Sequence, residues 1–158
     1  MSGPRVNELV AKLERGHRKT SEILGGLTAE QWQRVVYAEP YPWTVRDLLA
    51  HFVSSEELLL RLMQDVAAGG AGAPEGYDYN AANAQEQKRL ADRSVQDLLA
   101  DISAARQATV AWVSALEEET LDRIGRHPAL GEIPLETMID AVYGHQLFHM
   151  RDLRRLFS

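Results

Sequence analysis

Residues 134–157 read PLETMIDAVYGHQLFHMRDLRRLF. Leu135, Met138, Ile139, Val142, Leu153 and Leu156 recur at helical spacing and mark one apolar stripe. His145 and His149 fall inside that stripe, one turn apart on the same face. Two imidazoles aimed at a core need partners, because a buried polar group left alone is costly. The rest of the chain is read for what it offers them.

Upstream, Val6, Leu9, Val10, Leu13, Ile23 and Leu24 predict a first helix over about 5–25, stopped by Gly25 and Gly26. Thr28 with Gln31 forms a capping-box pattern for a short helical turn through Trp32. An aromatic, two-proline loop follows over 37–43. Thr44 then reads as an N-cap with Asp47 three residues on, and Leu48, Leu49, Phe52, Val53, Leu59, Leu62, Met63 and Val66 build a second amphipathic helix. Glycines and a proline make 69–77 a loop. Residues 78–92 look helical but polar, and Ser94 with Asp97 opens a stronger helix through Leu98, Ile102, Trp112 and Val113. Residues 125–134 are expected to be a loop, and no strand is expected. The pattern predicts an all-α, antiparallel four-helix bundle in a single domain over 1–158, its topology left open by periodicity.

Composition narrows the function. The chain of 158 residues is 45% hydrophobic and 25% charged, ordinary for a globular protein. It has no cysteine, which removes disulfides, thiolate nucleophiles and cysteine metal sites together. The net charge of -6 leads to the expectation of no nucleic-acid partner. The basic trio Arg151, Arg154 and Arg155 is read as complementing a helix C-terminus. No apolar signal core occupies residues 1–7 and no segment is long enough to span a bilayer, so the expectation is a cytoplasmic protein without a membrane partner. Homodimerisation through an exposed bundle face is a further expectation.

On spacing alone His145 and His149 are either two ligands of a metal site or core histidines satisfied by a carbonyl or a Tyr hydroxyl. His51, near the start of the second amphipathic helix, is a candidate third ligand that nothing local ties to the pair. The stretch 43–51, WTVRDLLAH, resembles the helix entry of the DinB-like superfamily. That pattern is Trp, then Ser or Thr, Asp three positions on, Leu or Ile next, and His three further. His145 and His149 with Leu153 resemble its C-terminal pair of histidines, and His127, Pro128 and Gly131 are also similar to members. The resemblance implies a four-helix bundle with a divalent metal held by His51, His145 and His149. In the related mycothiol-dependent isomerases the first of the final pair is Glu, so His145 favours the DinB branch.

The resemblance further implies a metal-dependent enzyme acting on a small molecule, by hydrolysis or by transfer of a low-molecular-weight thiol. Zinc or nickel is expected first, then manganese or iron. The rivals are a non-catalytic metal- or ligand-binding bundle, serving sequestration or self-protection, and a plain scaffold. Glu56 is the candidate general base, with a salt-bridged helix residue as its plain alternative. Asp47 and Asp152 are candidates to orient ligands, or respectively a helix-terminal charge and a partner for the arginines. Trp43, Tyr37 and Tyr41 are candidate pocket walls. Asn80 either caps a helix or reaches the pocket, and His127 is read as structural or exposed and is not counted as a ligand.

Overall fold

The computed structural model describes residues 2–158. The elements run α1 (Pro4–Gly25), α2 (Ala29–Trp32), β1 (Val35–Tyr37), β2 (Trp43–Thr44), α3 (Val45–Ala67), α4 (Tyr79–Arg89), α5 (Val95–Ser114), a 3-10 turn (Glu118–Asp122), β3 (Ile124–His127), β4 (Gly131–Pro134) and α6 (Leu135–Phe157). α1, α3, α5 and α6 form the four-helix bundle expected from the apolar stripes.

Local chemistry sets the helix starts. Thr44 Oγ1 accepts from the Asp47 amide at 3.2 Å while Asp47 Oδ2 accepts from the Thr44 amide at 2.9 Å, so two donors at the α3 N-terminus are satisfied reciprocally. Thr28 and Gln31 make the same box at α2. Ser94 caps α5 by accepting from the Asp97 amide at 3.0 Å. Asp78, not Asn80, caps α4, accepting from the Ala81 amide at 3.0 Å. α4 buries none of its residues, as its polar sequence requires.

Cross-helix contacts give the directions that periodicity left open. Arg5 meets Glu136 and Lys12 meets Asp140, so α1 and α6 ascend together. Gly16 lets them approach closely, since a Cβ there would lie 2.6 Å from the Tyr143 ring. Leu48 and Leu49 pack with Leu98 and Ile102, and Met63 with Val113, so α3 and α5 also run in one direction. α1 packs on α5 and α6, and α3 packs on the same two. The order is therefore up, down, down, up. α3 has 23 residues, about 34 Å at 1.5 Å per residue. The chain must travel that length back before α5 begins, and α4 makes the return by lying against α3.

The core has two apolar halves. One gathers Leu48, Leu49, Phe52, Val53, Leu98, Ile102, Met150 and Leu153. The other gathers Val6, Leu9, Met63, Val113, Leu135 and Met138. Glu56 and Arg106 lie between these halves in sequence on α3 and α5 and are both buried.

The expectation of no strand is corrected. β1 pairs antiparallel with β2, and β3 with β4, in two small hairpins. Each has too few residues to show a period of two, and the second includes Gly125 and Pro134, which read as loop residues. These hairpins position Tyr37, Trp43 and His127 at the site.

Candidate metal centre

Three imidazoles converge where α3 faces α6. His51 Nε2 lies 3.0 Å from His145 Nε2, and His149 Nε2 lies 3.1 Å from the same atom. One nitrogen from each histidine lies within 4.8 Å of the others. The helices run antiparallel here, so His51 on the first half of α3 meets the second half of α6. Phe52 closes the inner side, its ring 5.9 Å from that of His149. Trp43 tilts over His51 at 4.9 Å between ring centroids.

The environment keeps these rings neutral. Burial, with repulsion from the other two imidazoles, pushes His51 down to about 2. Burial and the nearby His149 and His127 push His145 down to about 4. Burial also lowers His149, opposed by the charge of Asp152. Neutral imidazoles present lone pairs, the form that ligates a cation.

A hydrogen-bond chain fixes the tautomer of His149. The Tyr37 hydroxyl lies 2.5 Å from Asp152 Oδ2 and 2.8 Å from His149 Nδ1. A carboxylate only accepts, so the tyrosine donates to Asp152 and its oxygen accepts the Nδ1 proton of His149. That leaves the Nε2 lone pair aimed at the other rings. Burial and the bond to Asp152 both push the Tyr37 hydroxyl above its ordinary range, keeping it protonated. Ser55 Oγ lies 3.3 Å from His51 Nδ1. The arrangement fits a divalent ion: converging neutral nitrogens, with a partner behind one of them.

Two cavities open beside the cluster. The larger, about 580 Å³, is lined by all three histidines together with Trp43, Leu58 and Tyr77. The smaller, about 260 Å³, is lined by Tyr37, Tyr41, Asn80 and Phe148 among others. Trp43, Asn83 and His149 line both.

The structure thus brings His51, His145, His149, Trp43, Tyr37 and Asn80 to one place, and sends Glu56 elsewhere. Glu56 makes a bidentate pair with Arg106, Nε to Oε1 at 2.6 Å and Nη2 to Oε2 at 3.0 Å. Arg106 Nη1 also donates to the Leu13 carbonyl at 2.9 Å, tying α1 to the pair. The reading of Glu56 as a general base is therefore corrected to its plain alternative. Five residues past His51 is about 140° round the helix, which turns Glu56 from the site toward α5. Asp47 serves its cap. Asp152 accepts its hydrogen bond from Tyr37, which in turn bonds His149.

Asn83 and His127 are additions at the cavity wall. The i, i+3 spacing of Asn80 and Asn83 on a polar helix was the available signal for the first. His127 Nδ1 accepts from the Ala129 and Leu130 amides at 3.0 and 3.2 Å, so its structural role holds, yet its ring also borders the cavity.

Fold and site together define a helical-bundle protein with a three-histidine centre. The chain belongs to the DinB superfamily, whose family model matches residues 12–153. No curated protein matches the sequence. Among solved structures it is similar to YfiT from Bacillus subtilis, described as a probable metal-dependent hydrolase with an unusual four-helix bundle topology. The TM-score is 0.78 at 19% identity, covering 99% of this chain and 87% of that one. It is similar to the mycothiol-dependent maleylpyruvate isomerase, with a TM-score of 0.74 at 16% identity, covering 94% of this chain and 60% of that one. It is also similar to the colibactin self-resistance protein ClbS, solved in complex with a dsDNA, with a TM-score of 0.72 at 18% identity, covering 96% of this chain and 92% of that one.

The ClbS complex corrects the expectation of no nucleic-acid partner. Net charge sums over a whole surface, whereas binding reads a local one. Arg151, Arg154 and Arg155 are all exposed near the end of α6 despite the acidic total. Among the described residues, no helix is long and apolar enough to cross a membrane.

Proposed function

We propose that the chain is a metal-dependent enzyme acting on a small molecule, with His51, His145 and His149 holding one divalent ion. The observation that carries this reading is the convergence of three neutral Nε2 atoms on the wall of a cavity of about 580 Å³. Zinc and nickel suit imidazole donors first. Three neutral ligands leave the charge of such an ion uncompensated, and when bound it supplies a Lewis acid facing the cavity.

The chain's own residues do the rest. Tyr37 and Asp152 hold the His149 proton on Nδ1. Trp43 and Phe52 shield the imidazoles from water. Trp43 walls both cavities beside the histidines, and Asn80 and Tyr37 wall the smaller one.

Among the described residues, no carboxylate lines the larger cavity. Hydrolysis calls for a base near the attacking water. An ion would ease ionisation of either nucleophile, and a thiol starts from about 8.5 against about 15.7 for free water, so it reaches its anion with less help from a base. This favours transfer of a low-molecular-weight thiol, with hydrolysis as the second reading. The described natures of the isomerase and YfiT support one reading each.

The test loads the chain with zinc or nickel and supplies 2-mercaptoethanol, an uncharged low-molecular-weight thiol, with an aryl epoxide. Metal-dependent loss of free thiol, abolished in His145→Ala, is expected. Metal-dependent cleavage of aryl esters that outpaces thiol consumption would favour hydrolysis, and inactivity of the loaded chain toward both classes would overturn the enzymatic reading.

A further inference from the structure

The larger cavity has a wall without a formal charge. Its polar lining consists of the three histidines, Ser55, Asn83, His127 and two tyrosines, and none of its lining residues is Lys, Arg, Asp or Glu. Two backbone amides donate to His127 Nδ1, which places its single proton on Nε2. Glu86 and, less strongly, Arg61 act with opposite signs on the Tyr77 hydroxyl, and neither lines the cavity. In the adjoining smaller cavity the charged lining residue is Glu39, an anion.

The remaining wall is apolar, with Trp43, Leu58, Leu59 and Leu130 its largest side chains, and the rings of Tyr77 and Tyr79 add aromatic surface. Leu130 and Tyr79 remain 56% and 49% exposed at this wall, apolar surface that a bound molecule would cover. The volume lies within the range of about 300–1,000 Å³ typical of small-molecule sites. An anion in such a place needs a cation or several converging donors. An ion at the three histidines answers for one such group, and the wall holds no cation for a second.

We infer that the larger cavity takes an uncharged, mostly apolar molecule, aromatic or branched, that carries a single metal-binding heteroatom group. Dicarboxylates, phosphate esters and nucleotides are excluded from it. The metal-binding group rests on the proposed metal reading, while the preference for a neutral apolar body rests on the wall alone.

Calorimetry on the zinc-loaded chain with acetohydroxamate, benzohydroxamate and 4-carboxybenzohydroxamate tests this. Burial of the ring should tighten binding roughly tenfold or more over acetohydroxamate. The added carboxylate should weaken binding at least about tenfold relative to the plain ring. Leu58→Arg places a cation in the wall and should reverse that second preference. Equal or tighter binding of the carboxylated ring by the unaltered chain, or no gain from the ring, would overturn the inference. Zinc content is measured in each sample. A chain that takes up no zinc sinks the metal reading alone, and N-methylbenzamide against its 4-carboxy form, offered to the metal-free chain, still decides the wall's preference. Equal or tighter binding of the carboxylated amide there would overturn the inference.

Discussion

The hydroxyl of Tyr37 accepts a hydrogen bond from His149 Nδ1–H at 2.8 Å and donates one to Asp152 Oδ2 at 2.5 Å. The three groups come from the β1–β2 hairpin and α6, so the hairpin is locked to the helix at the point where that helix offers a ligand.

Tyr37→Phe removes the acceptor behind His149 while keeping the ring. Partners of this kind are typically worth 10–100-fold in metal affinity, so zinc affinity measured against a competing chelator should fall by about that factor. Asp152→Asn should produce a smaller loss in the same direction. Unchanged affinity in Tyr37→Phe would show that the hydroxyl has no part in holding the ligand.

Glu56 and Arg106 form a buried pair, with side chains 2% exposed on each side. Removing one partner strands the other charge among apolar neighbours. Arg106→Ala should therefore destabilise the fold by about 3–5 kcal/mol in urea unfolding. The joint replacement Glu56→Met with Arg106→Leu should recover most of that loss. Folded Glu56→Gln should bind metal with the wild-type stoichiometry, because the residue lies outside the centre.

The histidine shifts set a pH window. An unfolded chain binds protons near about 6.5 at each imidazole, while His145 holds out to about 4 and His51 to about 2 when folded. Between these values the unfolded state carries more protons, so stability rises with pH. For the metal-free chain, this contribution is present above about 6.5 and is lost as the pH falls toward 4. Melting temperatures recorded from pH 7 to pH 5 should decline, and His145→Phe should flatten the decline.

Legibility followed the range of each interaction. Helix starts at Thr28, Thr44 and Ser94 could be read because the cap and its partner lie three residues apart. The His145 and His149 pair could be read for the same reason. His51 joins them across α3 and α6, and only the resemblance of residues 43–51 tied it to them in the sequence. Helix directions were silent because an apolar stripe does not name its partner. Tyr37 could be read as a wall residue but not as a partner of His149, which lies far away along the chain. Glu56 misled because burial alone does not say which neighbour a helix face meets, and Phe52 one turn earlier points to the core and not to the cavity.

The most direct test is the metal content of untagged protein beside a folded His149→Ala variant, after incubation with zinc or nickel and removal of excess. About one divalent ion per chain is expected in the wild type, with most of it lost in the variant. A wild type that retains no ion under these conditions, or a variant that retains as much as the wild type, would contradict the three-histidine centre.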